Sequence, residues 1–294
     1  MKCSQCENTA IAENPARCKN CFHEYVENTV KNTIEEFELI KRGERVCVAA
    51  SGGKDSITIL YLLNKFGYDV EALAVDEGIH VYRDDTISFL SGFCEKRNIP
   101  LTVISYEDEI GKRLEDMVPK NKPACNMCGT FRRHILNKYS EEYEKIATGH
   151  NLDDESQAVL MNLVSANTEL FARQGPKTRD VDGFTQKIKP LYFLKEKEIM
   201  IYAYTKQFAV GFTECPFSRQ SFRANLRDAF NLVESNNPGT KNNVVAKYLS
   251  MRKSSMDETD TIDIEKCVVC GYPSSNKVCK ACQYKRKVKT SQEV

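Results

Sequence analysis

Arg45-Val46-Cys47-Val48-Ala49-Ala50-Ser51-Gly52-Gly53-Lys54-Asp55-Ser56 is the stretch that decides the fold. The apolar run to Ala50 reads as a buried strand, and Ile57-Thr58-Ile59-Leu60-Tyr61-Leu62-Leu63 beyond it as a helix. Between them, two glycines let the backbone turn sharply and approach a ligand closely. The first amides of a helix have no intrahelical partner, so an anion can bind them. Ser51 and Ser56 add hydroxyls and Lys54 a positive charge. The turn reads as a phosphate cradle, and its spacing is not GxxxxGK[ST].

Working outward, apolar runs predict strands at 45–50, 70–76, 101–106 and 145–148, alternating with helices at 55–66, 84–97, 131–143 and 153–165. Such alternation implies a parallel sheet covered on both faces, with ligands beyond the carboxyl ends of its strands. The phosphate loop, Asp76-Glu77-Gly78 and Gly149-His150-Asn151 all follow strand ends and should meet in one cleft. Before this unit, 25–42 has a helical pattern. After it come helices at 195–208, 219–234 and 242–251 and an acidic stretch at 257–260.

The chain has 294 residues, 41% hydrophobic and 28% charged, with a net charge of +1. Whole-chain charge therefore does not announce nucleic acid, and any basic surface must be local. No apolar stretch approaches a membrane span or a signal-peptide core, so a cytoplasmic location is expected, with no membrane partner.

Thirteen cysteines are many for such a chain. A reducing compartment argues against a disulfide scaffold, and the spacing argues for metal. Cys3-x2-Cys6-x11-Cys18-x2-Cys21 and Cys267-x2-Cys270-x8-Cys279-x2-Cys282 are paired knuckles that can wrap four thiolates around Zn²⁺. His23 could replace a cysteine in the first, but Cys21 keeps the knuckle spacing. Closed four-thiolate zinc sites are structural, supplying folding free energy to segments too short for a core. The middle set is Cys125-x2-Cys128 with Cys215 far downstream. Three thiolates could hold an iron–sulfur cluster with one iron open, a pair could carry persulfide sulfur through a transient disulfide, or a zinc could take a fourth ligand other than cysteine. Cys47 and Cys94 read as small core residues.

Taken together, these residues resemble the TtuA/NcsA-type tRNA 2-thiolation enzymes, a branch of the PP-loop ATP pyrophosphatases, whose signature SGGxDS stands at Ser51–Ser56. The resemblance extends through Asp76-Glu77-Gly78-Ile79, Tyr82-Arg83-Asp84, Cys125-x2-Cys128-Gly129-x2-Arg132-Arg133, Gly149 to Glu155 and Cys215-Pro216, with the ribbon pair setting it apart from the TtcA branch. It implies an α/β fold, the PP-loop parallel sheet flanked by zinc ribbons. The expected division is a ribbon at 1–24, a catalytic domain at 25–215, a helical region at 216–260, and a ribbon with a basic tail at 261–294. It also implies a reaction: ATP adenylates the C2 carbonyl oxygen of a tRNA uridine, and sulfur then replaces that oxygen and expels AMP. Cys125, Cys128 and Cys215 match the positions that hold a [4Fe–4S] cluster in the family. Wobble-position and T-loop thiolases share these motifs. The sulfur donor would be free sulfide or a ubiquitin-like protein thiocarboxylate, and a homodimer is a further expected assembly.

On this reading ATP meets Ala49, Ser51, Gly52, Gly53, Lys54, Asp55, Ser56, Asp76, Ile79, Arg132 and Gly149, with Mg²⁺ among its phosphates. Arg132 stands where relatives can have lysine; it can steady phosphates but cannot lose its proton. Asp55, Asp153 and Asp154 are candidate Mg²⁺ ligands, and Asp153 or Asp154 a candidate base for the uridine N3 proton; alternatively, both simply cap a helix. His150 reads as a turn residue. A basic stripe, Arg219, Arg223 and Arg227, and a basic end, Lys277, Lys280, Lys285, Arg286, Lys287 and Lys289, are the candidate RNA contacts. Competing readings are a persulfide relay on Cys128 and Cys215, a tRNA cytidine amidating ligase, which leaves the inner cysteines without a role, and an RNA-binding zinc-ribbon protein with an inactive nucleotide fold.

Overall fold

The computed structural model describes residues 1–13, 15–118, 124–208, 215–217, 222–255 and 264–290. In chain order the elements are α1 (Lys19–Glu36), β1 (Arg45–Ala49), α2 (Lys54–Lys65), β2 (Asp69–Asp76), α3 (Tyr82–Glu95), β3 (Leu101–Ser105), α4 (Tyr106–Ile110) and α5 (Leu114–Met117). They continue as α6 (Cys125–Tyr139), β4 (Lys145–Ala147), α7 (Leu152–Val164), α8 (Thr168–Ala172), β5 (Gln186–Ile188) and α9 (Glu196–Thr205). Last come α10 (Phe222–Asn236), α11 (Thr240–Ser255), β6 (Glu265–Lys266), β7 (Pro273–Ser274) and α12 (Lys280–Thr290).

Five parallel strands run in the order β3-β2-β1-β4-β5. β1 is central, pairing from Arg45↔Asp69 to Ala49↔Leu73 on one side and from Val46↔Lys145 to Val48↔Ala147 on the other. Both its faces are covered, which is why Val46, Cys47 and Val48 form an unbroken apolar run. The chain winds outward in both directions from β1 and β4, so the crevice for a ligand opens beyond their carboxyl ends.

One core lies between the sheet and α1, α2 and α9. α1 buries Phe22, Val26, Val30 and Ile34, a single face at four-residue spacing. α2 is buried almost all round, Ile57, Ile59, Leu60, Leu62 and Leu63 included. A second core lies under α6, where Tyr106, Phe131 and Ile135 pack with Cys267, Cys279, Ala281 and Cys282. The last ribbon is thus docked on α6, and Lys285 Nζ on α12 donates to the Glu109 carbonyl at 2.7 Å.

Several elements differ from the sequence expectations. α1 starts at Lys19 rather than near 25, with Cys18 as its N-cap and Cys21 in its first turn, so the second knuckle of the first ribbon is also a helix start. α6 starts at Cys125 rather than 131: Cys-x2-Cys-Gly looks like a loop, but Gly129 is helical. The three-residue β5 is too short to carry a period, and α12 continues the basic end as helix. The acidic stretch at 257–260 and Arg219 lie outside the described residues.

Candidate active site

The loop after β1 is held from behind and open in front. Gly52 has φ +81°, and a Cβ there would lie 2.2 Å from the Thr86 carbonyl oxygen, so only glycine fits. Gly53 is the N-cap of α2 and makes no side-chain cap bond, leaving the first amides available. Ser51 N and Oγ each lie 3.2 Å from Ser56 Oγ, and Ser56 Oγ donates to the Gly53 carbonyl at 2.9 Å. These bonds close the turn around the anion site. Gly149 approaches from β4; a Cβ on it would sit 3.0 Å from Ser56 N. Asn151 Nδ2 donates to Asp55 Oδ1 at 3.1 Å, tying the start of α7 to the loop.

Lys54 Nζ bonds Asp55 Oδ2 at 2.9 Å and Glu196 Oε1 at 2.8 Å. Burial lowers the affinity of this amine for its proton, but Asp55 and Glu196 outweigh it and its pKa rises. Burial pushes the Asp55 carboxyl up, against the pull of Lys54. Burial likewise raises Asp154, opposed by Arg223. The Asp154 charge also raises Asp55, so two partly buried carboxyls face one another electrostatically across the cleft. That donor set suits a hard cation, which would favour both ionised forms.

Asp153 and Asp154 part company. Asp153 Oδ2 accepts from Glu196 N at 2.7 Å, and its Oδ1 pairs with the buried Lys241 ammonium, which also bonds Asn231. Its carboxylate is thus turned toward α9 and α11. Asp154 belongs to a reciprocal cap with Asn151, and its Oδ1 lies 2.6 Å from Arg223 Nη2. Of the basic stripe, Arg223 therefore points at the cleft, and Arg227 bonds Asp228 at 3.1 Å. His150 Nδ1 lies 2.8 Å from Thr148 Oγ1, within its turn.

A buried carboxylate joins the loop to the inner cysteines. Glu77 and Arg83 are each 3% exposed, with Arg83 Nε 2.7 Å from Glu77 Oε2. Arg83 Nη1 donates to the Ser51 carbonyl at 2.8 Å. On the other side, Arg132 Nε lies 2.7 Å from Glu77 Oε1, and Arg132 Nη2 is 3.5 Å from Cys128 Sγ. Tyr106 OH donates to the Cys128 carbonyl at 2.6 Å, fixing the first turn of α6. Cys125 Sγ donates to the Phe217 carbonyl at 3.5 Å, which brings the Cys215 segment to α6. Burial raises the Cys215 thiol, as does the nearby charge on Cys128. Asp76 accepts from Gly78 N at 2.8 Å and Ile79 is fully buried, so this segment is anchored at both ends. Sequence reasoning quoted Glu77, Arg83 and Asn151 but gave them no role: nothing local tells a buried arginine from a solvated one.

Among the described residues, two sets bring four potential metal ligands within 4.8 Å of one another: Cys3, Cys6, Cys18, Cys21 and Cys267, Cys270, Cys279, Cys282. Cys6 Sγ lies 3.8 Å from Cys21 Sγ, and Cys270 Sγ 3.8 Å from Cys279 Sγ. A tetrahedral ion with ~2.3 Å metal–sulfur bonds sets its thiolates about 3.8 Å apart, so both sets fit one. Backbone amides favour the thiolates. The Cys18 and Gln5 amides help draw Cys3 down to about 6, and Cys279 N donates to Cys267 Sγ at 3.3 Å. His23 is no ligand; its Nε2 lies 2.8 Å from Thr205 Oγ1. Cys125, Cys128 and Cys215 do not form such a tight set. Thiolates on separate irons of a cluster need not, whereas thiolates sharing one zinc must.

A parallel sheet with a glycine cradle at its switch point defines a nucleotide-binding α/β protein. A family model, the PP-loop domain, matches residues 22–230. The tRNA-5-methyluridine(54) 2-sulfurtransferase of Pyrococcus horikoshii is 35% identical over 97% of this chain and 93% of its own. Cytoplasmic tRNA 2-thiolation protein 1 of Schizosaccharomyces pombe is 34% identical over 90% and 83%. Among solved structures, the U34-tRNA thiolase NcsA from Methanococcus maripaludis with its [4Fe–4S] cluster superposes with a TM-score of 0.83 at 32% identity, covering 98% of this chain and 96% of that one. The chain belongs to the PP-loop family, in the branch of the tRNA 2-thiolation proteins.

Proposed function

We infer that the chain is an ATP-dependent tRNA uridine 2-sulfurtransferase. The observation that carries this is the run Ser51–Arg83–Glu77–Arg132–Cys128, which couples an adenylation loop to a thiol site through the buried Glu77–Arg83 pair. The M. maripaludis thiolase, with its cluster, favours this reading over the persulfide relay on Cys128 and Cys215.

The α2 amides and Lys54 bind the ATP phosphates and stabilise the charge that develops on pyrophosphate. Mg²⁺ would sit against Asp55, with Asp154 nearby but outside its ligand set. The uridine O2 attacks the α-phosphorus, and Asp154 accepts the N3 proton, the role left to it because Lys241 occupies Asp153. Asp153 holds α7 against α9 and α11. Arg132, fixed by Glu77, stands between ATP and the thiols as a permanent cation. Cys125, Cys128 and Cys215 would hold a [4Fe–4S] cluster, which supplies an iron without a protein ligand where sulfur can be held. Two Zn²⁺ ions would occupy the terminal four-cysteine sets.

The remaining readings follow from the same chemistry. The domains divide as 1–24, 25–215, 216–260 and 261–294. The protein acts in the cytoplasm, taking sulfur from sulfide or a protein thiocarboxylate, and as a homodimer; no helix among the described residues is long and apolar enough to cross a membrane. Anaerobically prepared protein with tRNA, ATP and sulfide is expected to give 2-thiouridine with AMP and pyrophosphate, read by nucleoside mass spectrometry. Failure to form AMP under those conditions overturns the reading.

A further inference from the structure

α6 has two functional faces. At about 100° per residue, with Cys128 at zero, Arg132 falls near 40° and Cys125 near 60°. Thr130, Arg133, His134 and Asn137 fall between about 140° and 240°, on the opposite face. That second face lines a cavity of about 450 Å³, closed by residues around β5 and by the last ribbon. Among the described residues it is lined by Arg133, Arg173, Arg179, Lys187 and Lys280 and by no aspartate or glutamate, although Arg173 is paired with Glu169 outside the lining. In a chain with 42 basic and 41 acidic residues, such segregation is local and specific.

Arg133 and Lys187 are the centre of this charge. Neither side chain has a hydrogen bond or an ion pair among the described residues. Burial and the neighbouring Arg133 pull the Lys187 amine down to about 8, with Lys189 adding to the effect. Two cations held together repel, and among the described residues no carboxylate pairs with either to offset that cost. An anion arriving from outside would. Besides hydroxyl and amide side chains, the wall carries aromatic rings: Phe184 and Tyr272 have ring centroids 6.0 Å apart, and His134 and Tyr272 5.1 Å apart. A bare inorganic anion would leave most of the volume empty. Unstacked nucleotides are taken by this combination of cations and aromatic surface.

We propose that this cavity binds one nucleotide of the substrate tRNA, its phosphate between Arg133 and Lys187 and its nucleoside against Phe184 and Tyr272. The proposal rests on the tRNA reading above. It places an RNA anchor across α6 from the reacting face, about one helix diameter, roughly 10–12 Å, from Cys125 and Cys128. It also gives the last ribbon a role, since Tyr272 and Lys280 come from it.

The test is tRNA binding by fluorescence anisotropy at several salt concentrations, using the full chain loaded with cluster and metal. Arg133→Ala and Lys187→Ala are each expected to weaken binding about tenfold, and the double variant, which gives up one phosphate contact, to reduce the log–log salt slope by about 0.7–0.9. Phe184→Ala is expected to weaken binding with the slope unchanged, and Arg133→Lys to restore most of the affinity. Cluster absorbance and bound metal check the fold; if the alanine variants lose either, Arg133→Gln and Lys187→Gln are read instead. Unchanged affinity and slope in the double variant overturn the proposal. So does intact tRNA binding with thiolation lost only when a protein thiocarboxylate is the donor, because the cavity then receives that protein. A parent protein that fails to bind tRNA sinks the substrate reading itself, seen before any variant is compared.

Discussion

Arg132 Nε lies 2.7 Å from Glu77 Oε1, and this ion pair links the cysteine helix to the phosphate loop, because Glu77 is held from its other side by Arg83. Removing the shared carboxylate leaves Arg83 buried and unpaired. Glu77→Gln is therefore expected to destabilise the protein by about 3–5 kcal/mol, read from urea unfolding. Arg132→Ala leaves the Glu77–Arg83 pair intact, so it should cost much less stability while lowering thiolation about 10²–10³-fold. Equal stability losses for the two variants would contradict the network.

Gly52→Ala places a methyl 2.2 Å from the Thr86 carbonyl in a left-handed backbone. The conformation alone costs roughly 1–2 kcal/mol, and relieving the clash must move the loop. ATP affinity, measured by titration calorimetry, is expected to fall at least tenfold. Gly43, also left-handed but with nothing within 4 Å, is the control for strain without clash.

Asp153 and Asp154 should separate by assay. Asp153→Asn strips the buried Lys241 of its charge partner and should lower stability by about 3–5 kcal/mol. Asp154→Asn should leave the unfolding midpoint nearly in place and lower turnover, since its carboxylate is half-open to the cleft. A stable but active Asp154→Asn protein would remove Asp154 from the chemistry.

Metal removal should act differently at the two ends. Structural zinc contributes about 10–16 kcal/mol of binding free energy in small domains. The last ribbon shares a core with Phe131 and Ile135, so Cys270→Ser is expected to lower amide-exchange protection in α6 and with it cluster absorbance. Cys6→Ser should loosen the start of α1 and leave the cluster absorbance unchanged.

Lys187 carries a pH signature. Its folded pKa of about 8 lies below the ordinary 10.5, so the unfolded chain takes the proton first and stability rises as pH climbs from about 8 to 10.5. Below pH 8 the charged amine faces Arg133 and Lys189, and no carboxylate among the described residues lines the cavity. Lys187→Met is expected to be more stable than the parent at pH 7, by roughly 1–3 kcal/mol, with the difference shrinking toward pH 10.5. A Lys187→Met protein less stable at pH 7 would mean the amine has a hidden partner.

Much of the site was legible because its chemistry is local. The turn at Ser51–Ser56 needs glycine and a helix start in fixed order, and four thiolates on one ion need knuckle spacing; both requirements leave their mark within a few residues. The direction of Arg223 was not legible. Arg223 sits at helical spacing from Arg227 on paper, yet it turns inward to Asp154, because α10 packs against α7. Nor was the start of α6, since a knuckle with a following glycine looks like a loop when the helix is set by packing on Tyr106 and Phe131.

By itself the sequence determined the strand–turn–helix that binds phosphate, the two ribbons and the odd set of three cysteines, all properties of residue type and spacing. Only the tertiary structure decided which acid is structural and which is open, and that Glu77 unites loop and cysteine helix. It also decided that Arg133 and Lys187, 54 positions apart in the numbering, share a cavity lined by no carboxylate among the described residues. Those outcomes depend on which charges are desolvated together, and desolvation is settled when the sheet, α6 and the last ribbon close on one another.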